Sequence, residues 1–386
     1  MKLFILLTFI FTSFYVKCLA QDSIKYVARN KLNFSGQLSS WGLSNGGNEF
    51  PVYMVARYIP TINYTVKTHP GRQFDVEVSA NTIGTLGMHP FDRIQTDGNI
   101  SPYRAWARYS TQHLEIRAGL QKINFGSATL LRPLMWFDQL DPRDPLQLTN
   151  GVWGALGRYY FMNNANLWLW TLYGNTKPRP WDLGQSNQNY PEFGGRFQSP
   201  VPKGEVAITF HHRVCDSRGL EVAIPPDPAV PENRLGIDGK WDLGVGLWFE
   251  GTYTNKTKEM GIYTNTEILN VGTDNTFGIG NGLNVVFEQL LFSYDQNAFA
   301  FSRSVSFTGL SLSYPINLTD QLNVISFFDW TTSSSYNFLN LKRQFNKIAF
   351  YIMAFWNPVN YNLPQQLNQG NYYSGKGIQL MLVYNH

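Results

Sequence analysis

Six charged side chains fall at alternate positions in three short segments of the chain. In residues 72–79, Asp75 and Glu77 lie on the face opposite Phe74, Val76 and Val78. In residues 103–109, Arg104, Trp106 and Arg108 oppose Tyr103, Ala105, Ala107 and Tyr109; in residues 113–121, Glu115 and Arg117 oppose Leu114, Ile116, Ala118 and Leu120. A period of two belongs to an extended strand, whose side chains alternate between its faces. If the three strands are sequential neighbours, Asp75 and Glu77 stand beside Arg104 and Arg108, and those beside Glu115 and Arg117. Such a ladder can hold a transverse field that orders water and selects solutes by charge. It can equally be the way a polar interior satisfies its own groups by pairing them.

A second charged cluster follows directly. Residues 126–148 contain Arg132, Asp138, Asp141, Arg143 and Asp144, interrupted by Pro133, Pro142 and Pro145. Proline cannot donate to a ladder, so the segment must leave the sheet. Three courses are open to it. Folded inward, it would narrow a lumen and present those five side chains as an eyelet. It could instead be an exterior loop, or it could pack its own Leu134, Met135, Trp136 and Phe137 against a strand.

Catalytic chemistry has less to stand on. His211 and His212 point to opposite faces if they lie in a strand, so they cannot chelate one metal together. His113 beside Ser110 and Thr111 is the nearest thing to a nucleophile with its base, and no GxSxG, HExxH, P-loop or dinucleotide fingerprint is present. The reading is a non-enzyme with no cofactor, no metal and no catalytic residues. Trp106, Trp181 and Trp248 fall on polar faces or loops and could stack against sugar rings.

The elements that position these residues are strands. Period-two segments separated by Gly, Asn, Asp and Pro recur from about residue 31 to the end, with no sustained helical periodicity. They predict an all-β fold, a transmembrane antiparallel barrel of about 16 strands, with 14 to 18 tolerable at on the order of 10 residues per strand. Residues 240–254 read as one long strand, Asn166–Tyr173 is apolar on both faces, and Phe301–Tyr314 changes phase near Gly309, as a bulge would cause. Trp41, Tyr53, Tyr109, Trp153, Tyr159, Trp168, Trp170, Trp241, Trp330 and Trp356 read mostly as interface girdles. Residues 315–319 look like a short turn on the inner side, and 174–192, 214–233 and 357–372 like outer loops.

The chain ends on a strand. Ile378, Leu380, Leu382 and Tyr384 share one face, Gln379, Met381, Val383 and Asn385 the other, and His386 closes the sequence. A barrel must pair its first and last strands to leave no open edge in lipid. The start agrees: Lys2, an apolar run over residues 3–11 and Cys18-Leu-Ala20 read as a signal peptide cut after Ala20. A lipid-modified Cys18 is the lesser alternative, since Lys17 and Tyr15 stand where such signals want a small residue and Leu. Residues 21–386 then form a single barrel domain with no room for a plug domain ahead of it. Loss of Lys2 and Lys17 lowers the net charge from +4 to +2, which gives no sign of a nucleic-acid partner. Cys215 becomes the one thiol of the mature chain, so neither an intramolecular disulfide nor a cysteine zinc cluster can form. The five Asn-x-Ser/Thr triplets match what abundant Asn produces by chance.

The terminal strand resembles the C-terminal insertion signal of Gram-negative outer-membrane proteins, with His386 where Phe is usual. Arg117-Ala-Gly-Leu-Gln121 leading to Gly126, and then the Asp-Pro steps of residues 138–145, resembles the signature of outer-membrane channels around the alginate-export porins. These resemblances imply outer-membrane lipid, the barrel-assembly machinery and a small hydrophilic solute as partners, and a homo-oligomer as a possibility. The expectation is a porin-like channel for passive diffusion, with Asp75, Glu77, Arg104, Arg108, Glu115, Arg117, Arg132, Asp138, Asp141, Arg143 and Asp144 lining its pore. The alternatives are a barrel with a plugged lumen serving as an enzyme or scaffold, and a soluble β-sandwich or lectin, which the terminal strand argues against.

Overall fold

The computed structural model describes residues 29–45, 51–89, 91–218, 226–360 and 372–386. The leader and Cys18 lie outside the described residues, as do parts of the loops read at 214–233 and 357–372.

One antiparallel sheet closes on itself. Its strands are β1 (Arg29–Asn45), β2 (Val52–His69), β3 (Arg72–His89), β4 (Arg93–Ser110), β5 (Leu114–Gln121), β6 (Val152–Tyr160), β7 (Asn166–Leu172), β8 (Gln185–Ser186), β9 (Glu192–Val201), β10 (Gly204–Asp216), β11 (Val230–Asp242), β12 (Gly246–Lys256), β13 (Asn265–Phe277), β14 (Leu283–Asp295), β15 (Ser304–Pro315), β16 (Asp320–Asp329), β17 (Ser334–Gln344), β18 (Ile348–Trp356) and β19 (Lys376–Asn385). Each wall strand pairs with the next, and β1 pairs with β19 from Gln37↔Asn385 to Asn45↔Gly377. β8 is a two-residue piece laid on the end of β10, so the wall has 18 strands rather than about 16.

The undercount has a local cause. Residues 240–254 are not one strand: the chain reverses between Asp242 and Gly246, where Gly244 takes φ +90° and its N–H donates to Asp242 Oδ1. In this hairpin Trp241 opposes Leu247, so odd residues face outward on both arms and the alternation runs through the turn unbroken. The phase change near Gly309 is not a bulge either. β15 keeps one register with both neighbours, and the irregular signal comes from Phe307, an apolar side chain on the inner face packed with Leu130 and Leu131.

On one rim every connection is five residues or fewer, and every longer one lies on the other, beside short links such as 330–333. The connections at 70–71, 111–113, 161–165, 202–203, 243–245, 278–282, 316–319 and 345–347 share the first rim with the start of β1 and the end of β19. The longest, at 122–151, 173–191, 217–229 and 357–375, share the other. Short periplasmic turns and longer external loops are the usual asymmetry of such barrels. The outer face carries apolar side chains in the open, among them Ile348, Phe350, Ile352, Ile378, Leu380 and Leu382, while Gln379, Met381 and Val383 of the same strand are buried inside. Trp153, Tyr159, Tyr109, Trp330 and Trp356 stand exposed on that outer face, but Trp168 and Trp170 turn inward and Trp41 and Tyr53 line an interior cavity, so these four do not belong to a girdle.

Candidate functional site

The ladder read in the sequence is present. β3, β4, β5 and β6 are sequential neighbours, and Asp75 opposes Arg108. Arg108 donates through Nε and Nη2 to Asp75 Oδ2 at 3.1 and 2.9 Å, while Thr65 Oγ1 and Gln73 Nε2 donate to Oδ1. Glu115 gathers three arginines: Arg117 at 3.0 Å and Arg108 and Arg158 at 3.6 Å. Arg117 lies over Trp106 and Arg158 over Trp168. Glu77 stands opposite Trp106. Arg158 was missed because its segment, with Gly154 and Gly157 between aromatics, shows little alternation.

Arg104 leaves the ladder. Its Nη2 donates to the carbonyl and hydroxyl of Thr149, and its Nη1 to the carbonyl of Tyr103. It therefore ties the end of the 122–151 connection to the wall. That connection folds inward and crosses the lumen, as two carboxylates on the far wall make plain. Glu288 of β14 accepts the N–H groups of Thr129, Leu130 and Leu131 and the amide of Asn270. Glu250 of β12 accepts those of Ala128 and Leu134. A carboxylate facing several backbone donors satisfies groups that a buried loop would otherwise orphan.

Beyond this anchor the loop fills half the barrel. Ile123, Phe125, Leu134, Trp136 and Phe137 pack with Val152, Leu156, Trp170 and Leu172. The 173–191 connection folds in beside them instead of standing outside. It brings Arg179 onto Glu192 and Asp182 between Arg213 and Arg234, both of which also bind Glu232. Arg196 pairs with Asp238 nearby. None of these inward acids and bases was singled out by sequence: Arg179, Asp182 and Asp238 meet partners 13 to 52 residues away, although Arg213 and Glu232 are cross-strand neighbours and Glu232 and Arg234 lie on one strand. His211 joins this packing with Trp170 and Glu192, while His212 contacts Asn233 and Phe193 on the opposite face.

The predicted eyelet divides. Arg132 is buried, donating to the carbonyl of Phe125 and to Asn124, and its own carbonyl accepts Trp181 Nε1. Arg143 clasps Asp141 in a two-point pair and lies over Phe338 and Tyr373. Asp144 caps its own turn, accepting from the N–H groups of Leu146 and Leu148. Asp138 is 2% exposed and its Oδ2 has no hydrogen-bond partner among the described residues. Of the sugar-stacking candidates, Trp106 is covered by Arg117, Trp181 is stacked on Phe292, and Trp248 is 4% exposed. His113 Nδ1 lies 3.1 Å from the carbonyl of Tyr160, in a short turn.

Open space remains on both sides of the loop: a cavity of about 340 Å³ lies between Pro142, Arg143, Asp144, Gln321, Asn323 and Lys342, and three more lie against β1 to β4. The first of these, about 280 Å³, is bordered by Asn81, Tyr103, Asp138, Gln139, Asn150 and Lys177. A second, about 340 Å³, shares Asn81, Tyr103, Gln139 and Asn150 with it and reaches Trp41, Arg57 and Asp144. A third, about 280 Å³, lies near the short-turn rim between Gln37, Ile59, Thr61, Tyr103 and Leu148. Charged and amide groups from both wall and loop thus border these cavities.

No protein-family model and no curated protein matches the sequence. Solved structures do match in shape. The chain is similar to OccAB4 of Acinetobacter baumannii, at 10% identity over 92% of this chain and 98% of that one, TM-score 0.56. It is similar to OccD3 (OpdP) of Pseudomonas aeruginosa, at 10% identity over 92% and 91%, TM-score 0.54. OmpT, an outer membrane protein of Vibrio cholerae in a trimer form, aligns at 7% identity over 92% and 99%, TM-score 0.50. At such identities the likeness establishes the fold, a large closed β-barrel.

Proposed function

We propose that this chain is an outer-membrane, porin-like channel for the passive diffusion of small hydrophilic solutes. The observation that carries the reading is the half-filled lumen. An apolar outer band suits a barrel in lipid, a loop anchored by Glu250 and Glu288 crosses the lumen, and cavities bordered by both polar and aromatic side chains remain along β1 to β4. Barrels of 16 to 18 strands are wide enough to keep an aqueous channel beside such a loop. Arg57 on the wall, with Asp138 and Asp144 on the loop, would supply a field across the passage, and the cluster of Arg108, Arg117 and Arg158 with Glu115 would add to it toward the short-turn rim.

The same proposal includes a cleaved leader over residues 1–20, assembly guided by the terminal strand through the barrel-assembly machinery, and a homo-oligomer. It also includes the resemblance of residues 117–148 to alginate-export channels, at the level of a channel carrying a loop after that strand. Purified, heat-modifiable protein reconstituted in planar bilayers is expected to give discrete conductance steps. A folded barrel that carries no current would overturn the reading.

A further inference from the structure

Tyr103 does not lie where its alternation puts it. By period it belongs with Ala105, Ala107 and Tyr109, and Tyr109 is exposed on the outer face. The register between β3 and β4 slips here: Ser79 pairs with Arg104 and Ala80 with Pro102, leaving Tyr103 without an opposite residue. On one side of the slip the inward residues of β4 are Arg104, Trp106 and Arg108. On the other they are odd-numbered, as Ser101 is, opposite Asn81 and bordering the first cavity. Tyr103 and Arg104 therefore both face inward, which is how a bulge re-aims a side chain. Pro102, lacking an N–H, suits this break in the ladder.

The ring is held there. The guanidinium of Arg104 lies 4.1 Å from its centroid, and Arg104 is itself fixed by Thr149 of the loop. Tyr103 also borders all three cavities on the β1 to β4 side of the loop and is the one side chain they have in common, whereas the cavity against β14 to β18 does not reach it. Only Leu148 joins it in linking the second cavity to the third. Asp138 borders only the first cavity, and Asp144 does not reach the third.

We propose that Tyr103, clamped by Arg104 at the bulge, sets the width of the passage and so the size of solute admitted. The proposal rests on the channel reading above. Tyr103→Ala is expected to raise single-channel conductance about twofold, because current follows the open cross-section, and to admit larger neutral sugars in liposome-swelling assays. Tyr103→Phe should match the wild type, since ring bulk and not the hydroxyl sets the width, and Tyr109→Ala on the outer face should too. Tyr103→Trp should lower conductance, which gives a second reading if the alanine variant folds poorly. Arg104→Gln, freeing the ring, should increase open-channel noise. A conducting wild type with Tyr103→Ala and Tyr103→Trp both at its conductance and size limit overturns this inference alone. A silent wild type removes the channel reading and this inference with it.

Discussion

Asp138 and Asp144 differ from the third acid of the inward loop in what they have to spend. Asp141 is committed to Arg143, whereas Asp138 keeps an oxygen without a partner and Asp144 holds only backbone N–H groups of its own turn. Burial raises the pKa of both, against the pull of Arg132 on Asp138 and of the Leu146 N–H on Asp144. A raised carboxyl takes up its proton at a higher pH than an exposed aspartate does. As pH falls these two groups therefore lose negative charge before an exposed aspartate would, while the wall arginines keep their charge. The expected outcome is a shift toward anion selectivity as pH is lowered from neutral toward the ordinary aspartate range, read as the reversal potential in a salt gradient. An unchanged potential would show that neither carboxylate faces the ion path. At this scale the sequence was informative about Asp75, Arg108, Glu115 and Arg117, whose partners are cross-strand neighbours or, for Glu115 and Arg117, two residues apart on β5. It could not tell Asp138 from Asp141, because that difference lies in which groups the folded loop brings near.

The inward loop is an element held by two side chains of the opposite wall. Glu288 contacts residues almost 160 positions earlier in the chain, and no local pattern marks it out from any other acid on a strand. Replacing it by Ala leaves the N–H groups of Thr129, Leu130 and Leu131 without that acceptor, at about 1–3 kcal/mol for each orphaned group. Glu288→Ala is thus expected to lower the temperature at which the barrel loses its heat-modifiable gel mobility, and to make the current flicker as the loop moves. Equal melting and quiet current in the variant would mean that the packing of Leu130 and Leu131 against Phe307 suffices to hold the loop. The prolines at 133, 142 and 145 announced that this segment leaves the sheet. Which way it leaves depends on Glu250 and Glu288, and on Phe307 and Tyr336 of the inner wall.

The whole molecule depends on one seam. β1 meets β19, and its last contact is made by the terminal residue: Gly36 and His386 exchange both backbone hydrogen bonds. The His386 ring lies over Gly36, stacked with Tyr58 and Tyr384, and Nε2 lies 3.0 Å from Tyr58 Oη. An aromatic covering a glycine on a neighbouring strand is a known way to secure a sheet. Deleting His386 should lower the yield of folded barrel on refolding into detergent or vesicles, whereas His386→Phe should assemble at least as well. The measure is the fraction of heat-modifiable protein, and full assembly without His386 would assign closure to the remaining pairs alone.

Alternation by itself determined that the chain is a β-barrel with an apolar outside and a polar inside, because a period of two is a local property of a strand half in lipid. It also placed Ile378, Leu380, Leu382 and Tyr384 outward and set Asp75 beside Arg108. The strand count escaped it, since the turn at Asp242–Gly246 preserves parity. Tyr103 escaped it as well, since a single unpaired residue reverses parity. The partition of the lumen was decided only in three dimensions. It arises where loop backbone meets carboxylates from the far wall, and those meetings join residues that no stretch of sequence brings together.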